Sequence, residues 1–220
     1  MTPIFSICHA TARPRKWKDS YTAWWDSCKN PDRVEYILAA DSRWGFDPSR
    51  PPFLNALSKV HWCTGEKKAI TGWNEAAAIA QGQVLIANSD DMRPPQNWDE
   101  ELLKIIPDLN AEFVVEVSSG FLADDRRLMV LYILSRRRYE KLGYIANPAY
   151  QALWVDNEFT EHARQDGIVI DARHLHFHHC HPHQDGGEWD EVYASGNTPE
   201  SWKQGQELFN RRKAAGFPKE

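Results

Sequence analysis

Short apolar segments alternate with helix-like segments through the first half of the chain, and this alternation restricts the fold more than any other feature. The segments at 4–8, 34–40, 59–63 and 83–87 are β-rich, and polar residues follow each of them. Helices are predicted between them, one after Pro14 from its aromatic spacing and one over the alanine-rich stretch 71–80. Such alternation predicts an α/β fold with a mostly parallel central sheet and helices on both faces.

The second half of the chain gives a less regular pattern. Strands are predicted at 113–117, 128–133, 168–171 and 175–179, and a proline-rich loop at 47–53 in the first half. Gly82 is predicted to end the alanine-rich helix as its C′ residue. The later helices are predicted from a capping box of Asn97 and Glu100 to Ile106, from Ser135 to Gly143, over 156–165, and from Thr198 to Gly216.

Length and composition fit a single domain over 1–220. The 220 residues are 42% hydrophobic, which is enough for one sizeable core. Lys and Arg number 26 against 31 Asp and Glu, and the net charge of −5 argues against non-specific coating of DNA. No apolar run approaches a membrane span, no signal peptide is visible, and four scattered cysteines indicate reduced thiols, so we expect a cytoplasmic protein.

Polar residues follow three of the predicted strands at the point where each strand ends. They are the segment 9–13, Asp41, and the segment 88–91. In an open α/β sheet, ligands bind beyond the carboxyl ends of the strands. The convergence of polar residues at these ends therefore predicts a binding site there.

The segment Asn88-Ser89-Asp90-Asp91 is the clearest candidate for metal chemistry, because an apolar strand leads directly into an amide and two carboxylates. Carboxylates at a strand end can hold Mg²⁺ or Mn²⁺, which prefer oxygen ligands, and such an ion would neutralise a diphosphate. The alternative is an Asx-turn with solvated acids.

Asp156 and Glu158 lie two residues apart near a predicted helix start. They fit residues that complement the helix dipole, and they also fit a general base that accepts a proton from a hydroxyl. Both interpretations remain open from spacing alone.

Six of the nine histidines lie between His174 and His183. With a strand period of two, His174, His176 and His178 share one face, and imidazoles of this kind suit a metal or a phosphate. Solvated imidazoles are the alternative. No second pair of ligands with the right spacing exists elsewhere, which argues against a structural zinc finger.

Two basic runs, 13–18 and 136–138, are typical of solvated helix faces, and they also fit contacts to phosphate or nucleic acid. The chain has no nucleophile elbow, Walker loop, dinucleotide-binding glycine motif or zinc-protease motif.

The order of these segments resembles a family 2 glycosyltransferase of the GT-A fold, and within it a small, phage-type member. The resemblance rests on His9-Ala-Thr11-Ala-Arg13-Pro14, Asp41, Gly72-Trp73-Asn74-Glu75, Asn88-Ser89-Asp90-Asp91 followed by prolines, the helix from Asp156 to Gly167, and His179-Cys180-His181-Pro182. It covers roughly residues 3–190. Asn88, Val155 and Trp73 depart from the residues that the family usually carries at these positions.

The resemblance implies a Rossmann-like nucleotide-sugar-binding half at about 1–95, an acceptor and catalytic half at about 96–195, and a C-terminal helix over 196–220. It implies an inverting transfer with Mn²⁺ or Mg²⁺, Asp156 as the general base with Glu158 beside it, and a metal held by Asp90 with His179 or His181. The donor site would contain Thr11, Arg13, Asp41, Asn74, Asn88, Ser89, Asp90 and Asp91.

A UDP-sugar is the donor that the resemblance favours, and the acceptor stays open, with a glycan and modified DNA among the candidates. The protein would then act in the cytoplasm of a bacterial cell or of a phage-infected host cell. Two other functions remain open: a zinc-binding hydrolase or DNA-binding protein built on His174 to His183, and a module that binds nucleotide-sugar without catalysis.

Overall fold

The computed structural model describes residues 2–13, 15–41, 57–63, 68–120, 127–185 and 189–219. Its strands are β1 (Phe5–Thr11), β2 (Val34–Ala40), β3 (Lys59–Trp62), β4 (Val84–Asn88), β5 (Met92–Arg93), β6 (Val114–Ser118), β7 (Tyr132–Ser135), β8 (Val169–His176) and β9 (His178–His179). Its helices are α1 (Trp17–Asp26), α2 (Ala69–Ile79), α3 (Trp98–Ile105), α4 (Arg136–Leu142), α5 (Val155–Gln165), α6 (Pro182–Asp185), α7 (Glu191–Gly196) and α8 (Pro199–Ala214).

The central sheet has seven strands in the order β3-β2-β1-β4-β7-β6-β8. The pairs among β1 to β4 are parallel, β6 pairs with β8 in parallel, and β7 runs antiparallel to both of its neighbours. The predicted α/β class with a mostly parallel sheet is therefore confirmed. Both predicted halves of the chain contribute strands to this one sheet.

Helices pack on both faces of the sheet, as predicted. Alternate side chains of β1 enter different cores: Phe5 and Ile7 join Trp24 of α1, whereas Cys8 joins Ile70 of α2. Residues of α3 lie in the first core, and residues of α5 and α8 lie in the second. No helix of the described ranges is long and apolar enough to cross a membrane.

One predicted cap and one predicted helix end are wrong, although α3 does begin directly after Asn97 as predicted. Asn97 has φ of 58° and its side chain caps nothing, so the capping box with Glu100 does not form; the backbone N–H of Asn97 instead donates to Ser27 O at 2.6 Å. Gly82 is not the helix C′ residue, because α2 ends at Ile79. A Cβ on Gly82 would instead collide with Ser6, whose Oγ accepts from the Gly82 N–H at 2.7 Å.

Other predicted helix ends are confirmed. Ser135 accepts from the Arg138 N–H, and Gly143 ends α4 at φ of 84°. Thr198 likewise accepts from the Ser201 N–H at the start of α8.

Several strand bounds differ from the prediction. β1 continues past His9 to Thr11, because Thr11 still pairs with Ala40 of β2. Of the strand predicted at 128–133, only the end from Tyr132 is strand. The strand predicted to begin at 175 joins the one before it as β8, with an irregularity opposite Ser118, and β9 follows. The loop predicted at 47–53 lies outside the described residues.

Candidate functional site

A cavity of about 440 Å³ lies at the carboxyl ends of β1, β2 and β4. The main chain brings its walls together there, since the Asp41 N–H donates to Thr11 O at 2.9 Å across the ends of β2 and β1. Gly72 of α2 lies so close to β1 that a Cβ there would come within 2.7 Å of Ala10 Cβ. The sequence-predicted residues that line the cavity are Thr11, Arg13, Asp41, Ser89, Asp90 and Asp91.

A buried chain of hydrogen bonds lies beside the cavity. Trp24 Nε1 donates to Asn88 Oδ1 at 3.0 Å, and Asn88 Nδ2 donates to Tyr36 Oη at 3.2 Å. Tyr36 Oη lies 2.5 Å from His9 Nδ1, and His9 Nε2 lies 3.0 Å from Asp90 Oδ1. Burial raises the pKa of Tyr36 well above its ordinary value, so its hydroxyl keeps its proton and donates to His9.

These hydrogen bonds determine which atom of each side chain donates and which accepts. Because Tyr36 donates to His9 Nδ1, it is the Nε2–H of His9 that donates a hydrogen bond to Asp90 Oδ1. Asn88 uses its oxygen on Trp24, and its nitrogen also donates to Ser20 Oγ at 3.1 Å. Asn88 is fully buried, so its side chain supports the cavity from below and does not line it.

Asn74, another predicted donor-site residue, also lies outside the cavity lining. Its Oδ1 accepts from the N–H groups of Ile145 at 2.9 Å and Ala146 at 3.1 Å, and its Nδ2 donates to Ala146 O at 2.7 Å. These contacts hold the 145–146 segment against α2. Trp73, by contrast, lines the cavity, and its Nε1 donates to Asn88 O at 2.7 Å.

Asp90 is 4% exposed, and donors lie against both of its oxygens. Oδ1 accepts from His9, and Oδ2 lies 3.4 Å from Arg13 Nη1. Both oxygens of Asp90, which the resemblance implies as the metal ligand, therefore already face a donor group of the chain.

Asp91 fits a metal better. Its Oδ2 accepts from the Tyr193 hydroxyl and lies 3.5 Å from His179 Nε2, while its Oδ1 is buried without a hydrogen-bond partner among the described residues. Burial opposes its ionisation, but His179 and Tyr193 hold the pKa of Asp91 well below its ordinary value. An ionised oxygen with an unused lone pair beside an imidazole suits a divalent cation.

The small second sheet brings His179 to Asp91. β5 pairs antiparallel with β9, with Met92 opposite His179, and the Cys180 N–H donates to Asp91 O at 2.7 Å. Asp91 and His179, which are 88 positions apart in the sequence, therefore meet beside the cavity.

The other histidines of the 174–183 segment are arranged differently. The His181 ring packs against Tyr193 with centroids 5.3 Å apart, and His181 Nδ1 accepts from the His183 N–H at 3.2 Å. His176 Nδ1 lies 2.9 Å from Ser118 Oγ. Within the described ranges, no group of three or more His, Cys, Asp or Glu side chains is arranged to hold a metal, so the zinc-centred alternative gains no preformed site.

Glu158 lies in a buried network away from the cavity lining. Its oxygens accept from Asn147 Nδ2 at 2.7 Å, Tyr150 Oη at 2.8 Å and Arg212 Nε at 2.8 Å. Glu158 is 3% exposed, so these contacts tie α8 to α5 and give Glu158 a structural environment, whereas its predicted role was catalytic.

Asp156 lies in the first turn of α5, beside Tyr132. Burial raises the pKa of Tyr132 and the Asp156 charge adds to this effect, so the two groups interact electrostatically. Tyr132 pairs with Ala87 near the carboxyl end of β4, and its ring meets that of Trp73 with centroids 5.5 Å apart. Asp156 does not line the cavity, whereas Trp73, which contacts Tyr132, does.

The 136–138 run lies at the other end of β4. Arg136 donates to Gly82 O, just before β4 begins, at 3.0 and 3.1 Å. Arg138 is 1% exposed and pairs with Glu112 at 2.7 Å and with Asp166. Arg136 and Arg138 therefore stabilise α4 and its neighbours, whereas Arg137 is exposed.

Solved structures with this architecture are known, although no family profile and no curated protein sequence gives a significant match. A Staphylococcus aureus TarS 1–349 structure in complex with UDP-GlcNAc matches with a TM-score of 0.66 at 12% identity, over 94% of this chain and 65% of that one. A mannosyltransferase from Pyrobaculum calidifontis, PcManGT, in complex with GDP-Man and Mn²⁺, matches with a TM-score of 0.60 at 12% identity, over 98% of this chain and 76% of that one.

The catalytic domain of Drosophila β1,4-galactosyltransferase 7 matches with a TM-score of 0.56 at 10% identity, over 88% of this chain and 79% of that one. This chain has a GT-A-like fold. Identities of 10% to 12% establish that fold alone. The chain spans 61% of another TarS 1–349 structure, which is less than two thirds of its length.

The cavity of this GT-A-like fold also contains residues that the sequence did not single out. Tyr193 and its neighbours in α7 form one wall, and Asp190, just before α7, pairs with Arg13 at 2.7 Å. No local pattern indicates a contact between residues 177 positions apart. The only sequence signal is Asp190 itself, a favoured N-cap residue, which accepts from the Tyr193 N–H at 3.0 Å.

Proposed function

We propose that this chain is a glycosyltransferase that moves a sugar from a nucleoside-diphosphate sugar to an acceptor hydroxyl, with a divalent cation at Asp91 and His179. The observation that carries the proposal is the Asp91 carboxylate in a cavity at the carboxyl ends of parallel strands: its Oδ1 is buried without a hydrogen-bond partner among the described residues, and its Oδ2 lies 3.5 Å from His179 Nε2. The GT-A-like fold supports the same assignment.

The charges of the cavity support a requirement for a cation. Among the described lining residues, Asp41, Asp90 and Asp91 are acidic, whereas Arg13 and Lys68 are basic. A diphosphate would add further negative charge to this surface, so its binding needs an additional positive charge. Because one ligand is an imidazole nitrogen, Mn²⁺ fits better than Mg²⁺. When bound, the ion offsets the negative charge that develops on the departing diphosphate.

The chain's own residues bind and orient the donor. Asp41, 5% exposed at the end of β2, accepts hydrogen bonds from the nucleobase or ribose, and UDP is the expected nucleotide. The Arg13 N–H donates to Thr11 Oγ1 at 3.1 Å and so shapes the loop that follows β1. Asp90, held by His9, keeps the Arg13 guanidinium at the cavity.

Asp156 acts as the general base in this proposal. It accepts the proton of the acceptor hydroxyl as that oxygen attacks the anomeric carbon, and attack opposite the leaving group inverts the configuration. Asp156 lies outside the cavity lining, so in this proposal the acceptor binds between the cavity and the first turn of α5. Since the 136–138 run is engaged at the other end of β4, a glycan is the acceptor we favour over modified DNA.

The test is the release of nucleoside diphosphate from UDP-GlcNAc, UDP-glucose, UDP-galactose and GDP-mannose, with Mn²⁺ or with chelator. We expect Mn²⁺-dependent release from one donor, stimulated by a glycan acceptor. Asp156→Asn should lower the rate about 100-fold or more, as expected for loss of a general base. Glu161→Gln on the same helix, whose carboxylate pairs with Lys213 at 2.9 Å, is the matched control.

Each other outcome is informative. Binding of a sugar nucleotide without release of nucleoside diphosphate from any of the four would indicate a module that binds nucleotide-sugar without catalysis. Equal rates for Asp156→Asn and the wild type would contradict the role of Asp156 as base.

A further inference from the structure

We infer that Arg13 and Lys16 form a phosphate-binding subsite, which in this structure the chain fills with its own Asp190 carboxylate. The inference deepens the proposed function, on which it rests, because it names the residues that bind the phosphates of the donor. It also means that the donor has to displace Asp190.

Two basic side chains hold the Asp190 carboxylate as they would hold a bound anion. Arg13 donates through Nε at 2.7 Å and through Nη2 at 3.1 Å, one bond to each carboxylate oxygen, and Lys16 Nζ lies 3.0 Å from Oδ2. A guanidinium fork of this kind matches a carboxylate or a phosphate equally well. A guanidinium and an ammonium that meet at one anion also suit the higher charge of a phosphate.

The position of the pair fits a diphosphate. Arg13 and Lys16 follow the carboxyl end of β1, where open α/β sheets bind their ligands, and Arg13 lines the cavity. Arg13 also lies 3.4 Å from Asp90, which is adjacent in sequence to the proposed metal ligand Asp91. A diphosphate between Arg13 and the metal would therefore contact both.

The segment that carries Asp190 also contacts the proposed metal ligand. The Tyr193 hydroxyl donates to Asp91 Oδ2, and the Arg13 guanidinium lies 4.6 Å from the centre of the Tyr193 ring. Asp190 thus pairs with Arg13, and Tyr193 of α7 donates to Asp91. The donor and its cation would need both Arg13 and Asp91. Movement of α7 away from the cavity would free Arg13 and Asp91 together.

The Asp190 carboxylate competes with a phosphate for Arg13 and Lys16. Burial alone would raise the pKa of Asp190, but hydrogen bonds from Arg13, the Tyr193 backbone and Lys16 hold it below its ordinary value. The carboxylate is therefore ionised at neutral pH and opposes an incoming phosphate.

The test compares wild type with Asp190→Asn in calorimetric titrations of UDP, uridine and inorganic pyrophosphate. Asparagine is as good an N-cap as aspartate, so the variant keeps α7 while it removes the competing charge. We expect UDP and pyrophosphate to bind about tenfold more tightly to the variant, as for loss of one hydrogen bond to a charged group. Uridine, which has no phosphate, should bind as it does to the wild type.

Glu191→Gln is the matched control, because it removes the same charge one residue away on the exposed side of α7. It should leave all three affinities unchanged. Lys16→Met should weaken UDP and pyrophosphate and spare uridine.

Two results would overturn the inference: weaker or unchanged binding of UDP and pyrophosphate by Asp190→Asn, or an equal gain for uridine. Tighter pyrophosphate binding with no binding of any nucleoside diphosphate would uphold the subsite and overturn the proposed donor. Failure of the two proposals is therefore distinguishable.

Discussion

His9 donates its Nε2 hydrogen to Asp90 Oδ1 across 3.0 Å, and both side chains are buried at the carboxyl end of β1 and β4. Tyr36 fixes the imidazole tautomer from the other side, and Asn88 in turn orients Tyr36. The orientation of Asp90 therefore depends on a buried series of hydrogen bonds, and its other oxygen lies 3.4 Å from Arg13 Nη1.

Asn88→Asp tests this series of hydrogen bonds. The carboxylate would put a second buried charge near Asp90, and it would draw the Tyr36 proton away from His9. We expect the free energy of unfolding to fall by about 1–3 kcal/mol, as for a buried polar group with its partners disturbed. Urea denaturation measures this change.

The same variant answers a question about the metal. Asp in place of Asn88 supplies the acid that the glycosyltransferase family it resembles usually carries at this position. Because Asn88 is fully buried outside the cavity lining, Mn²⁺ affinity should not rise. A clear gain in Mn²⁺ affinity would show that residue 88 does reach the ion.

Glu158→Gln should affect stability and not donor binding. The substitution breaks the buried ion pair with Arg212, whose side chain is 5% exposed, and removal of one buried partner costs about 3 kcal/mol or more. Urea denaturation with a parallel UDP titration separates the two effects. Glu161→Gln, a surface pair, should cost less than about 1 kcal/mol. A large loss of UDP affinity in folded Glu158→Gln would restore the active-site role that its spacing first suggested.

His162 should make the fold less stable in mild acid. Burial lowers the pKa of His162 below its ordinary value of 6.5, and Arg138 adds to the effect. As the pH falls through 6.5, the unfolded chain therefore takes up a proton that the folded chain does not, and stability declines. Urea denaturation between about pH 7.5 and 5.5 should show a shallower decline for His162→Gln than for wild type. His174→Gln, at an exposed position, should keep the wild-type slope.

The fold and the place of the site were accessible from the sequence because both depend on local patterns. Apolar runs of strand length and the polar residues that follow them put Thr11, Asp41 and Asp90 at one edge of a sheet. Caps at Ser135 and Thr198 were equally local, since each hydroxyl accepts from a backbone N–H three residues later.

What could not be predicted depends on contacts between distant segments. Asp90 and Asp91 are adjacent, and only the approach of His9 to one and His179 to the other distinguishes them. Glu158 has a spacing that fits a catalytic acid, but Arg212 arrives from 54 positions away to neutralise it. The backbone of Asn97 is likewise held by Ser27, which defeats a local capping signal.

The most direct test of the account is a calorimetric titration of UDP and GDP, with and without Mn²⁺, on wild type, Asp91→Asn and Asp90→Asn. We predict that wild type binds a nucleoside diphosphate only with Mn²⁺, that Asp91→Asn loses this dependence together with most of its affinity, and that Asp90→Asn binds more weakly but still requires Mn²⁺. Asp108→Asn, on an exposed loop, should behave as wild type. Absence of nucleotide binding to the wild type under all conditions, or a metal requirement that survives in Asp91→Asn, would contradict the account.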